Sequence, residues 1–265
     1  MSGNSSLLLD SKCIVVTGAA GGIGEAIARI CHREGANVVI ADIRGGEAAQ
    51  VAGSLGSRAL AVTADVSRDG DLQRLVERAV ENFGRIDGLV NNAGVDFSKP
   101  FLDTTPDDWD RVINTNLRSC FFLTQMAIRR MLAQDPPGGG VVNISSVHCV
   151  AGVPEASPYD AAKAGMLGLT RALAVEFATR NIRVNCISPG LINTQIWRDH
   201  QASAPDLDAC LAYWRSNIPI ERVIEPSEIA ELTAFLLSGR ASSITGANLI
   251  ADGGVTARLL SRPLV

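Results

Sequence analysis

Short runs of β-branched and other apolar residues alternate along this chain with longer stretches that carry apolar residues on one helical face. The runs occupy residues 13–16, 37–41, 59–62, 88–90, 141–144, 182–187 and 248–251. They are continuously apolar, which is typical of strands buried on both faces of a parallel sheet. The alternation with helices favours right-handed crossovers. The pattern therefore predicts an α/β fold: a doubly wound, parallel, seven-stranded sheet with helices on both faces.

Capping signals mark several of the helices between the runs. Thr105 is placed as an N-cap, with Pro106 in the first turn and two acidic residues after it. We expect a helix from there to about residue 132, and further helices over 158–178 and 226–237. Residues 193–221 show no clear period and are expected to be irregular.

Chain length and composition fit a single domain. The 265 residues are 46% hydrophobic and 20% charged, which is enough to bury a sizeable core. No internal repeat and no long linker divides the sequence. We therefore expect one domain over residues 1–265, with a core over 12–254 and a C-terminal tail over 255–265.

Charge and cysteine spacing argue against several classes of partner. The net charge is −4 and no long basic run occurs, so neither nucleic acid nor a membrane is expected as a partner. The six cysteines form no Cys-x-x-Cys pair, so no metal site is expected. The first apolar run is too short for a signal-peptide core, and no stretch approaches the ~18 apolar residues of a membrane span. We expect reduced thiols and a cytoplasmic location.

A glycine-rich turn follows the first predicted strand and opens a helix. Gly18, Gly22 and Gly24 have the spacing Gly-x-x-x-Gly-x-Gly. Glycines in this context let backbone N–H groups approach a pyrophosphate at a helix N-terminus, as in Rossmann-type folds. The alternative is a turn that only needs positive φ angles.

An acidic residue ends the second predicted strand. Asp42 lies 18 residues after Gly24, close to the ~20 expected for the acid that binds a ribose diol. A carboxylate there also repels a 2′-phosphate, so NAD is favoured over NADP as the cofactor. Arg44 can partly offset that repulsion, and a plain turn acid is the alternative interpretation of Asp42.

A tyrosine and a lysine four residues apart carry the strongest chemical signal. Tyr159 and Lys163 share one helix face, where the ammonium is expected to lower the pKa of the phenol and let it exchange a proton with an alcohol oxygen. Ser146 lies 13 residues before Tyr159, at the end of a predicted strand, and its hydroxyl can bind a substrate oxygen. Ser145 is the rival for that role, and an exposed helix face is the alternative for the tyrosine and lysine.

Together with Asn91-Asn92-Ala93-Gly94, with Asn116 and with the segment 189–194, these motifs resemble the short-chain dehydrogenases/reductases. The resemblance runs from about Lys12 to Gly254 and includes six motifs in the family's order. It implies a single Rossmann-type domain and an NAD-dependent oxidoreductase that interconverts a secondary alcohol and a ketone.

The resemblance implies a role for each matching position. Tyr159 matches the general acid/base, Lys163 the residue that lowers its pKa and binds the nicotinamide ribose, Ser146 the group that polarises the substrate, and Asn116 the residue that holds a water in a proton relay. The implied cofactor-binding positions are Gly18, Gly22, Ile23, Gly24, Asp42, Asp65, Val66, Asn92, Tyr159, Lys163, Pro189, Ile192 and Thr194.

The substrate is expected to bind between loops at the strand ends. The segment 193–221 would act as a lid over the nicotinamide, and the candidate substrate contacts are Ser146, His148, Tyr159 and Trp197. Similarity to subgroups of the family favours a sugar, polyol or hydroxysteroid-like alcohol. Two alternatives stay open: a 3-oxoacyl-thioester reductase, and a nicotinamide-binding sensor without catalysis. The resemblance also implies a homotetramer built through the helices over 106–132 and 158–178.

Overall fold

The computed structural model describes residues 7–259. Within them, seven strands form one parallel sheet. They are β1 (Cys13–Thr17), β2 (Asn37–Asp42), β3 (Ala59–Thr63), β4 (Gly88–Asn91), β5 (Gly139–Ile144), β6 (Ile182–Pro189) and β7 (Asn248–Ala251). Their order in the sheet is β3-β2-β1-β4-β5-β6-β7. The predicted fold class is confirmed, and each predicted strand lies within an observed one.

Helices cover both faces of the sheet. The described residues contain α1 (Gly22–Arg33), α2 (Gly45–Leu55), α3 (Asp69–Phe83), α4 (Pro106–Ile113), α5 (Ser119–Ala133), α6 (Ser157–Phe177), α7 (Gln195–Ser203), α8 (Leu207–Asn217) and α9 (Pro226–Leu237). Successive strand residues point to opposite faces. Ile14 and Val16 pack in the core that includes α1 and α9, whereas Val15 packs in the core that includes α3 and α5.

The helix predicted from Pro106 to about residue 132 is present, but its pitch changes in the middle. Thr105 and Asp108 form a capping box, in which each side chain accepts a hydrogen bond from the other's backbone N–H, at 3.2 and 3.0 Å. Between α4 and α5, residues Asn114–Arg118 form a π-helical turn. Such turns are frequent at functional sites, and apolar periodicity does not reveal them.

The expectation of irregular structure over 193–221 is wrong, because α7 and α8 lie there. Trp197 of α7 and Trp214 of α8 pack edge to face, with their ring centroids 5.8 Å apart. Asp206 caps α8 by accepting a hydrogen bond from the N–H of Ala209 at 2.9 Å. The two helices are short and largely exposed, so their apolar stripes are too brief to show a period in the sequence.

Three expectations concern features of the chain as a whole. No helix in the described range has both the length and the apolar character to span a bilayer. Between residues 7 and 259, no group of three or more His, Cys, Asp or Glu side chains is arranged to hold a metal ion. Of the expected tail, residues 260–265 lie outside the described residues.

Candidate active site

The carboxyl ends of several strands meet at one edge of the sheet. The chain order reverses between β1 and β4, which are neighbours in the sheet, and ligands of open α/β sheets bind at such a switch point. Asn92, just after β4, donates hydrogen bonds from Nδ2 to the carbonyls of Thr17 (2.9 Å) and Gly18 (3.0 Å). Asn92 therefore ties together the two loops that flank the switch point.

The predicted glycine turn connects β1 tightly to α1. Gly18 and Gly22 have φ angles of +63° and +57°, which favour glycine. A Cβ atom at position 24 would overlap the carbonyl oxygen of Gly18 and lie 2.6 Å from Asn92 Nδ2. Ile23, in the first turn of α1, packs against the hydrophobic core. Gly21, Gly22 and Gly24 add no side chains of their own at the N-terminus of α1, which fits the close approach of a dinucleotide pyrophosphate.

Asp42 joins the end of β2 to the glycine turn. Its carboxylate is buried and accepts hydrogen bonds from the N–H groups of Ala20 (3.0 Å) and Arg44 (2.9 Å). The guanidinium of Arg44 lies 3.3 Å from Asp42 Oδ1 and 2.6 Å from a carboxylate oxygen of Glu47. A carboxylate offers about four acceptor positions, and the N–H groups of Ala20 and Arg44 and the Arg44 Nε–H take three of them, so Asp42 keeps one for a ribose hydroxyl. Arg44 is engaged by two acids rather than left free for a phosphate.

Asp65 and Val66 follow β3, the neighbour of β2. Val66 is buried, and the backbone N–H of the preceding Ala64 donates to the carbonyl of Asp42 at 3.0 Å. The Asp65 carboxylate accepts hydrogen bonds from the backbone and hydroxyl of Ser67, at 3.0 and 2.7 Å. Both residues therefore lie at the same edge of the sheet, one strand beyond Asp42.

The segment after β6 returns to the glycine turn. Pro189 is the last residue of β6, and Ile192 is buried and forms a β-bridge with Ile224. A Cβ atom at Gly22 would lie 3.4 Å from Thr194 Cγ2. Thr194, in the segment after β6, therefore lies against the glycine turn that follows β1.

Ser146, Tyr159 and Lys163 come together where β5 meets α6. The Lys163 ammonium is buried, donates to the carbonyl of Ile144 at 3.0 Å, and lies 5.5 Å from the centre of the Tyr159 ring. Ser145 donates its hydroxyl to the backbone carbonyl of Lys163 at 3.0 Å. Ser145 thus fastens α6 to β5, whereas Ser146 is the serine whose hydroxyl lowers the pKa of Tyr159.

Burial controls the protonation of the tyrosine and the lysine. It raises the pKa of Tyr159 to about 12, against an opposing effect of the hydrogen bond with Ser146. Burial also lowers the pKa of Lys163 to about 8. The expected net lowering of the Tyr159 pKa is therefore wrong for the protein by itself, because desolvation of the phenolate outweighs the favourable contacts.

Asn116 lies in the π-helical turn and is buried. Its side-chain oxygen accepts from the N–H of Val95 at 2.8 Å, and its Nδ2 donates to the carbonyl of Val95 at 2.9 Å. A Cβ atom at Gly94 would lie 3.1 Å from Asn116 Oδ1 and 3.7 Å from Lys163 Nζ. The Asn116 side chain therefore fixes the loop after β4 beside the lysine, and its expected role in holding a water stays a prediction.

The two further substrate candidates lie in different places. His148 contacts the site: its Nδ1 is 2.5 Å from Asp160 Oδ1, and its ring meets that of Tyr159 edge to face at 5.1 Å. Trp197 is only 4% exposed. It packs against Trp214 and lines a cavity of about 960 Å³ formed by residues 193–225, whose lining does not include Ser146, His148 or Tyr159.

The chain is similar to known proteins over nearly its whole length. A family model described as enoyl-(acyl carrier protein) reductase matches residues 18–256. Dehydrogenase/reductase SDR family member 4 of Sus scrofa is 36% identical over 259 residues, which are 95% of this chain and 89% of that protein. The chain belongs to the short-chain dehydrogenase/reductase (SDR) family.

Two reductases illustrate how far this SDR similarity extends. The 3-oxoacyl-(acyl-carrier-protein) reductase FabG of Thermotoga maritima is 38% identical over 254 residues, covering 93% of this chain and 98% of that protein. The crystal structure of 3-ketoacyl-(acyl-carrier-protein) reductase from Brucella melitensis, complexed with NADH, superimposes with a TM-score of 0.85. It is 34% identical, and the match covers 94% of this chain and 99% of that one.

Two acidic residues of this SDR site were missed from the sequence. Asp160 holds His148, and Asp96 lies close enough for its charge to raise the pKa of both Tyr159 and Lys163. Asp160 was readable as the neighbour of Tyr159 in the Tyr-x-x-x-Lys motif. Asp96, two residues after Gly94, gave no signal of its own because loop acids are common.

Proposed function

We propose that this SDR oxidoreductase uses NAD to interconvert a secondary alcohol and a ketone. The observation that carries the proposal is the convergence of Ser146, Tyr159 and a buried Lys163 where β5 meets α6. A serine hydroxyl, a phenol and an ammonium next to one another can hold an alcohol oxygen and move its proton. The glycine turn, with Asp42 and Thr194 beside it, fits a dinucleotide.

The roles of the residues follow from their contacts. NAD held at the glycine turn would supply the hydride acceptor and, when oxidised, a positive charge that favours the phenolate of Tyr159. Ser146 binds the substrate oxygen and Tyr159 takes its proton. Lys163, held by the carbonyl of Ile144, keeps a positive charge beside the phenol. Asn116 fixes the loop next to Lys163, so that the ammonium keeps its position.

Asp42 supports NAD over NADP. A buried carboxylate beside the glycine turn disfavours a 2′-phosphate, and the related Brucella melitensis reductase is complexed with NADH. We expect Asp42→Ala to raise the ratio of kcat/KM for NADP to that for NAD by about 10–100-fold, equivalent to about 1.4–3 kcal/mol. The variant also frees Arg44 from one acidic partner.

The matched control is Glu47→Ala, because Glu47 also pairs with Arg44 but is half exposed. Steady-state kinetics with both cofactors should show a much smaller change for Glu47→Ala. An unchanged cofactor ratio in Asp42→Ala would contradict the assignment of Asp42 as the selecting residue.

A 3-oxoacyl-thioester reductase is the second candidate. Similarity to two proteins named as 3-oxoacyl carrier-protein reductases favours it. The net charge of −4 argues against it, since a protein that binds an acidic carrier protein is expected to present basic residues. Asp42 does not separate the candidates, because the Brucella melitensis reductase is complexed with NADH. Rates on acetoacetyl thioesters, sugars, polyols and hydroxysteroids, each measured with NAD(H) and with NADP(H), separate them. Faster turnover of the thioesters than of every alcohol would replace the first proposal.

A homotetramer is also part of the proposal. An apolar groove of about 480 Å³ lies on the outer face of the helices around residues 113–122 and 165–172, and such faces mark interaction sites. Phe121, 44% exposed, lines it. We expect light scattering to show a tetramer that Phe121→Glu converts to smaller species. The control is Phe101→Glu, at an exposed position outside the groove, and a monomeric wild type at micromolar concentration would contradict the assembly.

The thiols support a reducing compartment such as the cytosol. Cys13, Cys31, Cys120 and Cys186 are buried and free. Burial raises the pKa of Cys31 to about 12, which keeps it protonated and unreactive.

A further inference from the structure

His148 is held in a fixed orientation beside the reacting tyrosine. Its Nδ1 lies 2.5 Å from Asp160 Oδ1, and its backbone N–H donates to Ser146 Oγ at 3.3 Å. The imidazole stands perpendicular to the Tyr159 ring, with the centroids 5.1 Å apart. Asp160 is itself anchored, because its other oxygen accepts from the N–H of Val153 at 3.2 Å. The imidazole is thus fixed beside Tyr159 by Asp160, while the backbone of His148 is held by Ser146.

The contact with Asp160 also determines what the other ring nitrogen can do. An ionised carboxylate only accepts hydrogen bonds, so Nδ1 of His148 carries the proton. In the neutral imidazole, Nε2 is then an acceptor. No hydrogen bond to Nε2 occurs among residues 7–259, and the side chain is 22% exposed. Nε2 is therefore an oriented acceptor that is available to a ligand next to Tyr159.

A carboxylate on a different loop also influences the reacting tyrosine. Asp96, in the loop after β4, is exposed, and one of its carboxylate oxygens accepts from the N–H of Phe97 at 2.8 Å. Its charge acts on both Tyr159 and Lys163. The surroundings of the reacting phenol thus offer acceptors and a negative charge, which suit a neutral ligand with several hydroxyl groups and disfavour a carboxylate.

We propose that His148 Nε2 accepts a hydrogen bond from a second hydroxyl of the substrate, close to the reacting carbon, so that vicinal diols and α-hydroxy ketones are preferred. This inference rests on the proposed alcohol dehydrogenase function and narrows its substrate class. His148 then binds the substrate, and Asp160 is a positioning residue that sets the tautomer and the ring orientation.

The test compares two alcohols that differ by one hydroxyl group, butane-2,3-diol and butan-2-ol, with NAD. We expect the wild type to have the larger kcat/KM for the diol. His148→Phe should reduce the diol-to-monool ratio of kcat/KM by about 10–100-fold, mainly through KM for the diol, because a site built to bind a hydroxyl distinguishes ligands that lack one. Asp160→Asn should give an intermediate ratio.

Control variants separate this effect from damage to the fold. His32→Phe makes the same substitution in α1, away from the site, and should keep the wild-type ratio. His148→Gln keeps an acceptor and should retain part of the preference. If the wild type oxidises both alcohols and His148→Phe leaves the diol-to-monool ratio of kcat/KM unchanged, the inference is overturned and the proposed function stands. No turnover of any alcohol with NAD or NADP would overturn the proposed function and this inference with it.

Discussion

Replacing Tyr159 with Phe is expected to lower NAD-linked turnover by about 10²–10⁴-fold, the usual contribution of a positioned acid/base. The ring remains, so its edge-to-face contact with His148 and the packing of α6 are kept, and only the hydroxyl that exchanges the proton is lost. NADH binding should therefore stay within a few-fold of the wild type. Steady-state kinetics and fluorescence titration with NADH measure the two effects separately.

Tyr213→Phe is the matched control, because Tyr213 lies on α8 and is 62% exposed. It removes a phenol hydroxyl without touching Ser146 or Lys163, and its turnover should equal that of the wild type. Tyr159→Phe with near wild-type turnover would contradict the acid/base role.

Replacing Lys163 with Met should abolish most activity without destabilising the protein. Lys163 is 4% exposed, and burial lowers its pKa to about 8 from 10.5, which corresponds to about 3 kcal/mol of destabilisation at neutral pH. Losing the hydrogen bond to the carbonyl of Ile144 offsets about 1–3 kcal/mol of that gain. We expect turnover to fall about 100-fold or more, and Tm to stay equal or rise by up to about 6 °C.

The wild type and Lys163→Met should also differ in how their stability changes with pH. Between about pH 8 and 10.5 the unfolded chain keeps the Lys163 proton while the folded protein releases it, so this lysine makes stability rise with pH in that window. Lys163→Met should therefore be more stable than the wild type at about pH 7. The difference in the free energy of unfolding should disappear by about pH 10. Lys12→Met, at a half-exposed position, is the control. A large fall in Tm for Lys163→Met at pH 7 would mean that the lysine is a structural clamp.

The sheet was predictable from sequence because its strands are buried on both faces. Continuous apolar runs such as 141–144 leave little choice of structure, and all seven predicted strands lie within observed ones. The π-helical turn at Asn114–Arg118 was not predictable, since its apolar residues fit an ordinary helix. Helices α7 and α8 were missed because Trp197 and Trp214 stabilise them through a contact between residues far apart in sequence.

In the candidate site, local motifs predict where the residues lie, whereas their protonation depends on the tertiary environment. The positions of Ser146, Tyr159 and Lys163 follow from a strand end and a four-residue helical spacing. Their pKa values depend on burial, which no local pattern contains, so the expected direction for Tyr159 was wrong. The choice between Ser145 and Ser146 likewise depended on which hydroxyl reaches the backbone of α6.

The central claim is that this site transfers a hydride from a secondary alcohol to NAD. The direct measurement uses an alcohol deuterated at the carbinol carbon, with the wild-type enzyme and with Tyr159→Phe, and mass spectrometry of the reduced cofactor. We expect deuterium in the nicotinamide ring formed by the wild type and almost no reduced cofactor from the variant. Reduced cofactor without deuterium, or no reduction of NAD by any alcohol, would contradict the account.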